Sequence, residues 1–126
     1  MDMVKGIVIP NSAGLVTTTA VATGDLVHTL SVGASAKIRK IMWSNNTGAN
    51  MTLIFGTNTN AGVFAPLFPT ITAINGFDGE LTEDEIPEVI FNVDRTPAPL
   101  GATGLIYVLS SAAGALVRIA VEELRV

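Results

Sequence analysis

Residues 37–57 read KIRKIMWSNNTGANMTLIFGT, two apolar segments on either side of a polar turn. In the second segment Met51, Leu53 and Phe55 occupy every second position, the period of a strand with one buried face. The Asn and Gly residues between the segments tolerate the backbone angles of a tight reversal. The pattern therefore predicts a β-hairpin.

The first of these segments needs one extra residue to place its apolar side chains on one face. Ile41 and Trp43 share a parity, whereas Ile38 has the other. A β-bulge near residues 39–40 inserts one residue and brings Ile38 onto the same face. The sequence therefore predicts a bulge at this point and a core position for Trp43.

Short β segments separated by turns recur along the chain. Further strands are predicted at residues 15–22, 25–32, 70–74, 88–94, 105–109 and 116–121, and residues 63–69, with two prolines, are expected at a sheet edge. No ten-residue segment has a helical period, and the best helical candidate is one turn at residues 82–86, which Thr82 and Glu85 would cap. We predict an all-β single domain, residues 1–126: an antiparallel β-sandwich, jelly-roll-like, of about eight or nine short strands.

Within these strands, alternation assigns faces to particular side chains. It places Leu26, His28 and Leu30 on one face, so His28, the only histidine, is expected to be a satisfied core or interface residue. The continuous apolar run at residues 105–109 is expected to be buried on both faces. No serine stands in the setting of an activated nucleophile, and we predict no enzymatic activity, no cofactor and no metal site.

The amino-acid composition favours a protein whose surface is largely covered by partner proteins. Of 126 residues 48% are apolar and only 14% are charged, against about 25% in a usual globular domain. This predicts a homo-oligomer or a component of a larger assembly. The net charge of −4 argues against nucleic acid as a partner. The absence of cysteine excludes disulfides and thiolate chemistry in this chain.

The N-terminal residues, MDMVKGIVIP, lack the features of a signal peptide, and no apolar run approaches the ~18 residues of a membrane-spanning helix. We expect a chain made in the cytoplasm with no membrane partner. The apolar stretch with Val4, Ile7 and Ile9 ends at Pro10. It is interpreted as an edge strand or as an arm, residues 1–10, that pairs with a neighbouring subunit.

Two charged clusters are candidate partner contacts. Lys37, Arg39 and Lys40 form the basic cluster, interpreted as a charged strand end that protects a sheet edge, with pairing to a neighbouring subunit's acidic stretch as the alternative. The acidic stretch, residues 78–88, holds six of the eleven acids, among them Glu83, Asp84 and Glu85. A solvated acidic loop is the preferred interpretation, and a partner-facing patch or a calcium site are the alternatives.

Two other signals have ordinary structural explanations. Asn45-Asn46-Thr47 and Asn50-Met51-Thr52 match the glycosylation acceptor pattern, but turn chemistry explains them better in a chain rich in Asn and Thr. Trp43, Tyr107 and the five phenylalanines could line a sugar-binding face, but Trp43 and Phe55 lie on faces that are predicted to be core, so core packing is preferred.

The order of these features resembles that of small jelly-roll decoration, or cement, proteins and minor structural proteins of tailed phages and related viruses. The resemblance covers about residues 26–123 and rests on VGASA, residues 37–57, GLIYVLSS and ALVRIAVEE. It implies a homo-oligomer, commonly a trimer, that sits on the virion surface and clamps neighbouring copies of the major capsid protein. Capsid decoration is therefore the expected function. A carbohydrate-binding or adhesin-like module is the alternative from another class, and a tail or fibre subunit is a third reading.

Overall fold

The structure, a computed structural model, describes residues 7–30, 34–58, 62–87, 89, 91–92 and 102–125. These residues form two antiparallel sheets and one 3₁₀ turn, Glu83–Glu85. The strands are β1 (Ile7–Thr17), β2 (Asp25–Thr29), β3 (Ala34–Asn45), β4 (Met51–Asn58), β5 (Phe64–Pro66), β6 (Ile71–Ala73), β7 (Phe77–Leu81), β8 (Phe91–Asn92), β9 (Ala102–Ser110) and β10 (Leu116–Arg125).

The strand orders are those of a jelly roll. The first sheet runs β1-β10-β3-β7, with β8 also paired to β3, and the second runs β2-β9-β4-β5, with β6 also paired to β4. The first strand thus lies beside the last, and β2 lies beside β9, as in a chain folded back on itself and wound into two sheets. The predicted all-β, jelly-roll-like sandwich is confirmed.

The predicted hairpin of residues 37–57 is wrong, although both of its strands form. β3 lies between β10 and β7 in the first sheet, whereas β4 lies between β9 and β5 in the second. The polar turn therefore crosses from one sheet to the other. Turn residues indicate only that the chain reverses, and both strands can bury one apolar face by covering the same core from opposite sides.

The predicted bulge in β3 is confirmed. Lys40 is opposite Ala120 and Ile38 is opposite Val121, so Arg39 is the extra residue. Ile38 and Ile41 are both buried as a result.

The core lies between the two sheets and follows the predicted alternation in β4 and β10. Met51, Leu53 and Phe55 are buried, as are Val117 and Ile119. The expectation for residues 105–109 is wrong in part: Ile106 and Val108 are buried, whereas residues 105, 107 and 109 are only half-buried. The reason is that only one face of β9 meets the other sheet.

Three strand details differ from the sequence prediction. In β2 the register shifts between Leu26 and His28, so Val27 is buried and Leu26 is exposed. β1 continues past Pro10 through a register irregularity between Ile9 and Ser12, and it ends at Thr17 rather than at residue 22. Residues 78–81, the first part of the acidic stretch, belong to strand β7 rather than to a loop, because β7 pairs with the end of β3.

Candidate functional site

Three turns meet at one end of the sandwich, and none of them contains a charged side chain. They join β3 to β4, β6 to β7, and β9 to β10. The register brings them together, because Ser44 near the end of β3 is opposite both Asp78 and Leu116. We call residues 45–50, 74–77 and 111–115 the uncharged end.

Asn45 is the hydrogen-bonding centre of this end. Its side chain is fully buried, and its Nδ2 donates to the carbonyls of Ala49 at 2.9 Å and Ala73 at 2.8 Å. Its Oδ1 accepts from the backbone N–H of Thr47 at 3.1 Å and from the Thr47 hydroxyl at 2.7 Å. Because Ala73 belongs to the second sheet, this side chain ties the two sheets together. Its burial supports turn chemistry over glycosylation at Asn45.

The turn between β6 and β7 is locked to the turn between β3 and β4. The Gly48 N–H donates to Asn75 Oδ1 at 2.7 Å, and the Asn75 N–H donates to Asn50 Oδ1 at 2.9 Å. The Gly76 N–H donates to the Asn45 carbonyl at 2.6 Å. Gly76 has a φ of 85°, which only glycine adopts without strain. These bonds hold the two turns in one arrangement.

The third turn is bound to the start of β4. The Thr52 N–H donates to Ser111 Oγ at 2.9 Å, and the Ser111 N–H donates back to the Thr52 carbonyl at 3.1 Å. On the other side, the Thr18 hydroxyl donates to the Ala112 carbonyl at 3.1 Å. All three turns are therefore fixed by hydrogen bonds.

This hydrogen-bonded end displays large apolar side chains to solvent. Phe77 is 66% exposed and Ile74 is 45% exposed, one on each side of the Asn75-Gly76 turn. Sequence analysis did not single out either residue; the available signal was their place on both sides of an Asn-Gly turn. An exposed aromatic on a rigid, uncharged support is suited to binding an apolar surface.

The structure brings the predicted basic cluster and the acidic stretch together within one chain, toward the other end of β3. Arg39 donates to Glu83 at 2.8 Å and to Glu122 at 2.6 Å, and Lys37 Nζ lies 3.6 Å from Glu83. The hydrogen bonds to Glu83 and Glu122 raise the pKa of Arg39 above its ordinary value. A charge match between subunits stays a prediction.

The remaining members of these clusters have separate roles. Lys40 Nζ lies 3.5 Å from Glu80, across the pair of β3 and β7. The Glu85 carboxylate accepts from the Thr82 N–H at 2.9 Å, which confirms the predicted capping box. Asp84 is exposed beside it on the 3₁₀ turn. Glu83, Asp84 and Glu85 are therefore exposed on the surface, and Glu88 lies outside the described residues.

The predicted arm falls partly outside the described residues. Val4 lies outside the described residues. Ile7 and Ile9 belong to β1, where their Cα atoms are opposite Arg125 and Glu123 of β10. The edge-strand interpretation therefore applies to residues 7–10, which are part of β1. Contact of residues 1–6 with another subunit stays a prediction.

His28 joins the two sheets through a buried carboxylate. Its Nε2 lies 2.7 Å from Glu123 Oε2, and the Glu123 side chain is only 2% exposed. This is the satisfied histidine that the sequence predicts. Among the residues the structure describes, no group of three or more His, Asp or Glu side chains is arranged to hold a metal ion. In the same residues no helix is long and apolar enough to cross a membrane.

Trp43 packs against the core, and its ring lies over Gly79. A Cβ on Gly79 would come within 2.3 Å of that ring. The exposed aromatic in the described part of the chain is Phe77, so a sugar platform built on Trp43 is not supported. A shallow groove of about 290 Å³ runs beside this pair on the outer face of the first sheet, between Met42 and Arg118.

Comparisons of the sequence with protein-family models and with curated proteins find no match. In structure the chain is similar to a protein of the Bacillus endospore appendages, described as disulfide-linked pili, with 14% identity and a TM-score of 0.45, over 96% of this chain and 89% of that one. It is also similar to the CBM22-1–GH10 part of Clostridium thermocellum xylanase 10B, solved with xylohexaose, with 13% identity and a TM-score of 0.44, over 93% of this chain and 27% of that one.

Likenesses of this size indicate no common function. The chain spans about a quarter of the xylanase structure. It contains no cysteine, so the disulfide links of the appendage pili have no counterpart in it. The surface chemistry of the sandwich is therefore the basis for a functional proposal.

Proposed function

We propose that this protein is a non-enzymatic structural subunit of a larger assembly, of the kind that virion decoration proteins are. We further propose that it attaches to that assembly through its uncharged end. The observation that carries the proposal is the exposure of Phe77 and Ile74 on a turn that is hydrogen-bonded to the turn between β3 and β4. Fully burying a phenylalanine side chain contributes about 1.5–3 kcal/mol.

Two features of the uncharged end lower the cost of binding. Asn45 and Asn75 hold the turns in place before any partner arrives, so little conformational entropy is lost on association. The three turns contain no charged side chain, so binding through them does not incur the cost of desolvating a charged group within the turns. Both features favour a protein surface as the partner.

In the finer form of the proposal, the partner is the major capsid protein of a virus. The protein would be made in the host cytoplasm and would stabilise the shell by clamping neighbouring capsid subunits, as the sequence resemblance implies. It would act as a homo-oligomer, with three copies as the number that the resemblance implies. Contacts by residues 1–6 and by the basic and acidic clusters belong to the same proposal.

The test is cosedimentation with empty shells assembled from the major capsid protein encoded in the same genome. Phe77→Asp should weaken binding by about tenfold or more, because it places a charge in the apolar contact. Leu26→Asp is the matched control, since it changes another exposed apolar residue on a different strand. Circular dichroism checks that both variants fold.

A wild-type protein that does not sediment with the shells would overturn the decoration proposal. Equal binding by Phe77→Asp and the wild type would overturn the role of the uncharged end.

A carbohydrate-binding module is the second candidate, and one observation favours it. Phe77 is an exposed aromatic next to a turn rich in Asn and Thr. A sugar ring can stack on the aromatic side chain while its hydroxyls hydrogen-bond to the polar side chains. A glycan array with the wild type and Phe77→Ala tests it. Specific glycan binding that Phe77→Ala removes would support this candidate, and an array without any binding would contradict it.

A further inference from the structure

The edges of the two sheets differ sharply in how they are protected from pairing with another chain. In the described residues, β7 carries Asp78 and Glu80 in five residues, β2 is also short and carries Asp25, and β5 has three residues and ends at Pro66. Charge, proline and short length are the usual protections of a sheet edge. Three of the four edges therefore have them.

β1 is the exception. It has eleven residues, Ile7–Thr17, and none of them is charged. Its Pro10 lies at the register irregularity between Ile9 and Ser12, and residues 12–17 continue in unbroken register with β10. This part of β1 is a regular, uncharged edge.

The hydrogen bonds of Thr18 show which backbone groups of β1 face outward. Its N–H donates to the Ala115 carbonyl at 2.8 Å, and its carbonyl accepts from the Gly114 N–H at 2.9 Å, so Thr18 faces the segment that leads into β10. Residues of an antiparallel pair alternate between facing the partner strand and facing away. Leu15 and Thr17, of opposite parity to Thr18, therefore direct their N–H and C=O groups away from β10.

We propose that the outer edge of β1 pairs antiparallel with β1 of a second copy, which joins the first sheets of two chains into one continuous sheet. This inference rests on the self-association in the proposed function and assigns to it a two-fold contact, which differs from the trimer that the resemblance implies. The occupant is a second copy because the edge is self-complementary. A two-fold axis places the same strand on both sides, and uncharged residues meet there without repulsion.

The side chains on the outer face of β1 fit this contact. Leu15 is 56% exposed at the middle of the regular segment. In the antiparallel pair it lies beside residues 13–17 of the second copy, all of them uncharged. Gly14 on the opposite face is packed against Val27, because a Cβ there would lie 2.4 Å from the Val27 carbonyl oxygen. The edge is thus held in place by its own chain before it pairs.

Two variants test the pairing in sedimentation equilibrium over a wide range of protein concentration. Leu15→Pro removes an outward N–H and leaves the hydrogen bonds to β10, and proline is tolerated on an edge strand. Leu15→Lys keeps the backbone donor but puts like charges opposite each other. Each should raise the dissociation constant of the dimer by about tenfold or more, whereas the control Leu26→Lys should leave it unchanged.

The outcomes separate this inference from the proposed function. A wild-type chain that is monomeric throughout, or a dimer that neither Leu15 variant weakens, would overturn the pairing. A wild-type trimer whose dissociation constant is unchanged by both Leu15 variants would also overturn the pairing, although it would agree with the decoration proposal. A dimer that both variants weaken supports the pairing even if the protein fails to bind capsid shells, a result that would count against the decoration proposal alone.

Discussion

Replacing Asn45 with alanine should destabilise the sandwich far more than the same change at its neighbour Asn46. Asn45 is fully buried and makes four hydrogen bonds with its side chain. Asn46 is exposed, and its side-chain bond to Ser44 Oγ is long, at 3.5 Å. The two residues are adjacent and identical in type, so they form a matched pair.

The expected magnitude follows from the four side-chain hydrogen bonds that Asn45→Ala removes from this site. The Ala73 carbonyl loses a donor in a buried site, whereas the Ala49 carbonyl keeps the Thr47 hydroxyl at 3.1 Å. An unsatisfied buried group costs about 1–3 kcal/mol, and each lost hydrogen bond about 0.5–1.5 kcal/mol. We therefore expect a loss of about 2–4 kcal/mol for Asn45→Ala, against about 0.5 kcal/mol or less for Asn46→Ala.

Urea unfolding followed by the fluorescence of Trp43 measures both variants. A slope of about 1.5 kcal/mol per molar urea converts the expected loss into a midpoint shift of roughly 1.3–2.7 M. If Asn45→Ala shifted the midpoint no further than Asn46→Ala does, the reasoning about the buried network would be refuted. Such a result would also remove the argument that the uncharged end is rigid before it binds.

Two further changes probe the core. His28→Ala should lower the free energy of unfolding by about 1–3 kcal/mol, because it removes the imidazole that contacts the buried Glu123 carboxylate. Thr29→Ala, at an exposed position, is the control. A loss for His28→Ala no larger than the loss for this control would contradict the prediction. Gly79→Ala should lower the thermal midpoint and move the Trp43 emission to longer wavelength, because the new Cβ displaces the ring toward solvent. Unchanged emission would show that the ring does not lie over Gly79.

The faces of individual strands could be predicted from the sequence because side chains alternate with a period of two along any strand. Met51, Leu53 and Phe55 are buried as their spacing predicts. The bulge at Arg39 was also predictable, since Ile38 and Ile41 can share a face only if one residue is inserted between them.

Strand partners could not be predicted in the same way. The turn after Asn45 shows that the chain reverses, but it does not show whether the next strand pairs with β3 or crosses to the other sheet. The bulge in β2 could not be predicted for the same reason. Leu26 and Val27 are both apolar, so the alternating pattern is compatible with either residue facing the core. Register against β9 decides that Val27 is buried, and register is a property of two strands.

The sequence by itself determined the class of the fold, an uncharged set of turns and the scarcity of charge over the whole chain, because these depend on local propensity and composition. Only the tertiary structure decided that three of those turns meet at one end, that Phe77 is exposed there, and that β1 is the edge strand of the first sheet. The physical reason is that exposure and edge position depend on which strands lie side by side, and hydrogen bonds between residues far apart in the chain set that arrangement.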